Sequence, residues 1–187
     1  MGLLDQLVLN WKLFLAAIIA MTFAISGFIL TAFSHEAGVI STIALLALLG
    51  VLLKIPDRYS SIGGTDIGMA ATVIVASTQG ALMGVMFAAF VTIVGGRTID
   101  EGPQFTFASA IMHVIVAVLA AFLVVLTPES YLFPVLAFVV AGHLVGAPTY
   151  IALGNPPETQ IVFSLVNIIW NYVVIGAFGV PLLQLLL

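Results

Sequence analysis

The chain has 187 residues and is 63% hydrophobic, with four Lys or Arg against eight Asp or Glu, a net charge of −4 and no Cys. Its mean hydropathy is +1.30. The missing Cys excludes disulfides, thiolate metal sites and a Cys nucleophile, and the scarcity of cations excludes a nucleic-acid-binding surface.

The charges fall in short gaps. Between them lie six stretches without formal charge: Leu13–Ser34, Ala37–Leu53, Ile67–Gly96, Gly102–Pro128, Ser130–Pro157 and Thr159–Leu187. A hydrocarbon core about 30 Å thick is crossed by about 20 apolar residues of helix. The runs are continuously apolar rather than alternating, which excludes a membrane β-barrel. The expected fold is therefore an all-α membrane protein, a single bundle of six transmembrane helices embedded in the lipid bilayer with no soluble domain.

The first span is expected over 9–33. The residues before it, MGLLDQLVLNWK, lack the basic start and small-residue cleavage site of a signal peptide, so it reads as a retained helix. Ala16, Ala20 and Ala24 follow one another at four-residue spacing and share one helix face. Small residues there allow close approach of another helix, either inside the bundle or as a docking face for a second membrane subunit.

A short second span is expected over 38–54, ended by Pro56. A flexible turn, Ser60-Ser61-Ile62-Gly63-Gly64, follows, with Asp57 and Arg58 as a local ion pair and Thr65 as N-cap ahead of Asp66. The third span, 66–95, is long and carries Gly80 at its centre. It fits either a tilted helix or one broken at Thr78-Gln79-Gly80, and Gly80, Gly84 and Ala88 repeat the small-residue spacing. Pro103 opens the fourth span, 104–126, and Thr127-Pro128 closes it. The fifth, 131–153, runs to Gly154-Asn155-Pro156-Pro157, and the sixth covers 160–186.

Six crossings put Lys12, Lys54 and Arg58 on one side and Arg97 on the other. The excess of cations favours cytoplasmic N- and C-termini in a cell membrane. The loops at 34–37, 96–103 and 154–159 then face outward, and those bearing Arg97 and Glu158 are expected to act as a lid.

Polar groups at membrane depth are costly and need partners. At about 1.5 Å per residue, His113 on the fourth span, His143 on the fifth and Asn167 on the sixth fall at one level below the outer surface. Asn167, Trp170 and Asn171 share a face of the sixth helix. Each alone can be helix-to-helix glue. Together, His113, His143, Asn167, Trp170 and Asn171 form a candidate substrate-binding set, with Phe105, Phe107, Tyr150 and Phe163 as upper walls. Two His without Cys or a carboxylate at that depth make an incomplete metal-ligand set, so no metal is expected.

One family resemblance follows from these residues. Ala16-x-x-x-Ala20-x-x-x-Ala24, the small-rich stretch GTDIGMAATVIVASTQGALMGVMFAAFVTIVGG (Gly64–Gly96) and the ending VNIIWNYVVIGAFGVPLLQLL resemble the substrate-binding S component of energy-coupling-factor (ECF) transporters. The resemblance implies a micronutrient importer subunit that binds a small-molecule solute from the outer face. It also implies a transmembrane coupling subunit, docked on the Ala face, and ATPase subunits as partners. The metal-transporting branch of that family uses residues at the extreme N-terminus, and Met1-Gly2-Leu3 has no His, which disfavours such a substrate.

HExxH, Walker A and GxGxxG motifs are absent, and no Ser stands in the setting of an intramembrane protease. Neither an enzyme nor a resident cofactor is expected. The competing expectation is a non-catalytic scaffold of a membrane complex, of the kind represented by the cell-shape protein MreD. A scaffold has no need of polar groups at matched depth on three helices.

Overall fold

The computed structural model describes residues 34–55, 64, 66–99 and 101–187. Among them every element is an α-helix: α1 (His35–Leu52), α2 (Gly68–Gln79), α3 (Ala81–Thr98), α4 (Pro103–Leu123), α5 (Leu132–Ala152) and α6 (Pro157–Leu186). Five of the six, all but α2, are long and apolar enough to cross a membrane, and the bundle fits a multi-pass membrane protein. The expected first span, 9–33, with Ala16, Ala20 and Ala24, lies outside the described residues, as do Asp57, Arg58 and Thr65.

The third apolar stretch is two antiparallel helices rather than one. Gly80 adopts φ 87° and ψ 169°, a region open essentially to Gly alone. A Cβ there would meet nothing within 4 Å, so the backbone angle and not crowding requires glycine. The chain then doubles back. Gly84 packs where a Cβ would lie 2.4 Å from the Ala76 Cβ, and Gly68 faces Val91. The small residues at 76 and 84 thus let the two arms touch backbone to backbone.

The short arm, α2, is the centre of the molecule and contacts all five other helices. Residues 68 to 76 are all buried, as expected of a helix that is apolar on every face. Its hydroxyls stay satisfied in these surroundings by bonding back one turn: Thr72 donates to the Gly68 carbonyl (2.7 Å) and Ser77 to that of Val73 (2.7 Å).

The hairpin changes which loops share an end of the bundle. Lys54, at the end of α1, packs against Gly95 near the end of α3, while Gly96 of α3 meets Thr106 at the start of α4. The C-terminal end of α1 therefore lies at the same end as Glu101, Gly102 and Asn155. The expected separation of Lys54 from Arg97 is overturned, and with it the charge contrast that oriented the chain. At the opposite end, Gln79 Nε2 donates to the Leu186 carbonyl (2.7 Å), and Tyr131 packs on Gly179 with its hydroxyl on the Ile175 carbonyl (3.2 Å).

Candidate functional site

Because α2 starts at the level of Val91 while α3 continues to Thr98, about 10 Å of bundle height has no central helix. The side chains around this gap do not fill it. A cavity of about 370 Å³ remains above the N-terminus of α2, between the ends of α1 and α3 and the facing ends of α4, α5 and α6.

Its floor is ionic. Lys54 Nζ stands 3.6 Å from Asp66 Oδ2, and both side chains are largely buried. Asp66 also accepts from the Gly68 N–H at the start of α2, so a carboxylate occupies the positive end of that helix. A charge held in such surroundings needs both the opposite charge and hydrogen bonds, and Asp66 has both.

Two asparagines of α6 hold this floor in place. Asn167 Nδ2 donates to the Gly64 carbonyl (3.2 Å) and the Asp66 carbonyl (2.8 Å). Its Oδ1 accepts from Asn171 Nδ2 (2.9 Å) and faces His143 Nε2 (2.8 Å). Asn171 Nδ2 also reaches the Asp66 carbonyl (3.0 Å). One face of α6 explains the arrangement. Its buried positions are Gln160, Ser164, Asn167 and Asn171 in the first half, then Ile175, Gly179, Leu183 and Leu186, so a single stripe is polar beside the cavity and apolar beyond it.

The two histidines are held in complementary ways. An amide oxygen only accepts, so His143 carries its proton on Nε2 and leaves Nδ1 as the acceptor of the neutral ring. His113 Nδ1 lies 2.9 Å from the Ser109 carbonyl one turn back and must donate to it. Its Nε2 is then an acceptor, and this atom is buried without a partner among the described residues. The walls are aromatic: the Phe105 and Tyr150 rings stack at 5.7 Å and 4°, and Phe163 meets His143 edge-on at 6.1 Å. At the rim, Glu101 accepts from the Thr106 hydroxyl (3.1 Å). Burial pushes its carboxyl above the ordinary value of 4.5, against the opposing pull of Lys54 and Thr106.

Of the five candidate residues, the structure brings His113, His143 and Asn167 to the cavity wall. Asn171 is fully buried behind Asn167, where it holds the floor and does not line the cavity. Trp170 is half-buried off the cavity, its indole N–H without a partner among the described residues. Phe105, Tyr150 and Phe163 are wall residues as expected, whereas Phe107 is 68% exposed on the outer face of α4. Arg97 and Glu158 are exposed and line nothing. Lys54 and Asp66 were expected at span ends on the side away from the histidines, and Glu101 in an outer loop, yet all three line the cavity. Among the described residues no three His, Cys, Asp or Glu are grouped to hold a metal ion.

The arrangement can desolvate a small molecule against aromatic rings and offer it imidazole lone pairs at one level and charged groups at two others. Comparison with protein-family models, curated proteins and solved structures gives no match, so the functional reading rests on this geometry and on the resemblance drawn from the sequence.

Proposed function

We propose that the chain is a membrane-embedded solute-binding subunit of a micronutrient importer. The observation that carries the reading is the cavity of about 370 Å³, with polar groups converging from separate helices against aromatic walls. Its volume lies within the roughly 300–1,000 Å³ of small-molecule sites. Ionisable groups at membrane depth are costly and are most often kept for use. Here Lys54, Asp66, Glu101, His113 and His143 all reach one space. The buried His113 Nε2, without a partner among the described residues, can accept from a donor on the solute.

In this reading the cavity end faces the outside, the C-terminal end of α6 faces the cytoplasm, and the solute enters between the loops. Energy for transport comes from a transmembrane coupling subunit and its ATPase partners, as the resemblance to ECF S components implies.

Native mass spectrometry of the detergent-extracted chain tests the reading. A solute adduct that survives extraction and is lost on His143→Phe is the expected result, provided the variant remains folded. A bare chain, together with no change in melting on exposure to fractionated cell extract, sinks the reading. It would return the chain to the class of scaffold subunits.

A further inference from the structure

We propose that this cavity selects a planar nitrogen heterocycle of one or two rings that offers N–H donors and carries no anionic group. The inference deepens the solute-binding reading and rests on it.

The first argument is the sense of the free hydrogen-bonding groups. His113 Nδ1 is committed to the Ser109 carbonyl and His143 Nε2 to Asn167. Each neutral ring therefore turns a lone pair, not a proton, toward further partners. His113 is 5% exposed, and among the described residues its Nε2 has no hydrogen-bond partner. These acceptors come from two helices that pack against each other, α4 and α5, so a ligand that answers both presents two donors. Amino and ring N–H groups of a heterocycle do so, whereas a carbonyl or ether edge would leave lone pair against lone pair.

The second argument is charge. Lys54 and the N-terminus of α2 are the features that would draw an anion, and the Asp66 carboxylate already takes both. Glu101 adds a further carboxyl at the rim. A carboxylate or phosphate entering here meets two acidic groups and one cation already paired. A neutral or protonated base meets no such opposition.

The third argument is shape. Phe105 and Tyr150 stack with their planes only 4° apart, and a planar ring entering the cavity can extend that stack. Phe163, edge-on to His143, bounds the space from α6.

Ligand-observed NMR on the protein in lipid nanodiscs tests the selection with cytosine, adenine and nicotinate, the last a planar heterocycle bearing a carboxylate. Cytosine or adenine is expected to bind, with affinity at least tenfold weaker in His113→Phe, which keeps the bulk of the ring and removes the acceptor. Nicotinate is expected to give no response. His143→Phe serves as the second variant if His113→Phe fails to fold. Nicotinate binding as tightly as the amino heterocycles, or equal affinity in parent and variants, overturns the class of ligand while leaving a solute site. Failure of all three probes in a chain that still carries a co-purified solute does the same. Failure of the probes with no co-purified solute brings down this inference and the solute-binding reading together.

Discussion

Replacing Asn167 by Leu, which has nearly the same shape and no amide, removes four hydrogen bonds at once. The amide donates to Gly64 and Asp66 and accepts from His143 and Asn171. These losses are unequal. Asn171 Nδ2 keeps the Asp66 and Asn167 carbonyls, and the Asp66 carbonyl keeps Asn171, so each retains a partner. The His143 Nε2–H keeps none. Leaving a buried donor unmade costs about 1–3 kcal/mol, and the remaining bonds contribute about 0.6 kcal/mol apiece at the average measured within membranes. The substitution should therefore destabilise the bundle by roughly 3–5 kcal/mol. His143→Phe should cost less, about 1 kcal/mol, because Asn167 Oδ1 still accepts from Asn171. In the double variant no imidazole donor is stranded, so its cost should fall below the sum of the singles by about 1–2 kcal/mol. Reversible unfolding in mixed micelles, followed by tryptophan fluorescence, measures all three, with Ile169→Leu on the exposed face as control. A cost for Asn167→Leu no larger than for His143→Phe, or strict additivity, would refute the network as drawn.

Gly84→Leu should abolish assembly of the hairpin, since even a Cβ at 84 would lie 2.8 Å from the Ala76 Cα; Gly176→Ala, which meets nothing within 4 Å among the described residues, should express normally, and equal yields of folded protein would contradict the packing. Lys54→Met strands the Asp66 carboxylate, at a cost of about 3–5 kcal/mol, and adding Asp66→Asn should recover part of it; a double variant less stable than Lys54→Met would show that the ion pair is not what is lost. The raised Glu101 carboxyl means that the folded chain holds this proton more tightly than the unfolded chain does. Its contribution is thus intact below the ordinary value of 4.5 and is lost as pH rises through the higher folded value. Glu101→Gln should gain stability relative to the parent between pH 4 and 7, and a parallel pair of pH profiles would dismiss the burial effect.

The outer helices were legible in the sequence because their limits are chemical. Pro103, Thr127-Pro128 and Gly154-Asn155-Pro156-Pro157 interrupt apolar runs of crossing length, and α4, α5 and α6 begin and end within a few residues of those marks. The level shared by His113, His143 and Asn167 was legible for the same reason, since it depends only on counting inward from these breaks. The hairpin was hidden. Its turn at Gly80 carries no charge or proline, and two arms of 12 and 18 residues together have the length of one tilted helix. A break at Thr78-Gln79-Gly80 was one of the two readings the stretch allowed, but no residue there signals that the chain reverses. Missing one reversal inverted the side assigned to everything before it, which is why Lys54 and Asp66 were expected far from the histidines they accompany. Trp170 and Asn171 share a helix face with Asn167, but helical periodicity does not distinguish the side chain that lines a cavity from the one that props it.

The central position of α2 also dictates how the chain must be built. A 12-residue helix, about 18 Å long, does not span the hydrocarbon by itself, and buried against all five other helices it has nothing to hold it until they exist. The carbonyl of Asp66, at its head, is gripped by Asn167 and Asn171, and Gln79, at its foot, by Leu186. All three belong to α6, the last described helix to leave the ribosome. During synthesis the hairpin can pack on α1 and then on α4 and α5 as they emerge, but its charged end lacks the grip of α6 until that helix is made and must meanwhile be shielded by water, lipid headgroups or the insertion machinery. Chains halted before α6 should be degraded rather than matured, and the arrival of that helix is the step that locks the whole bundle.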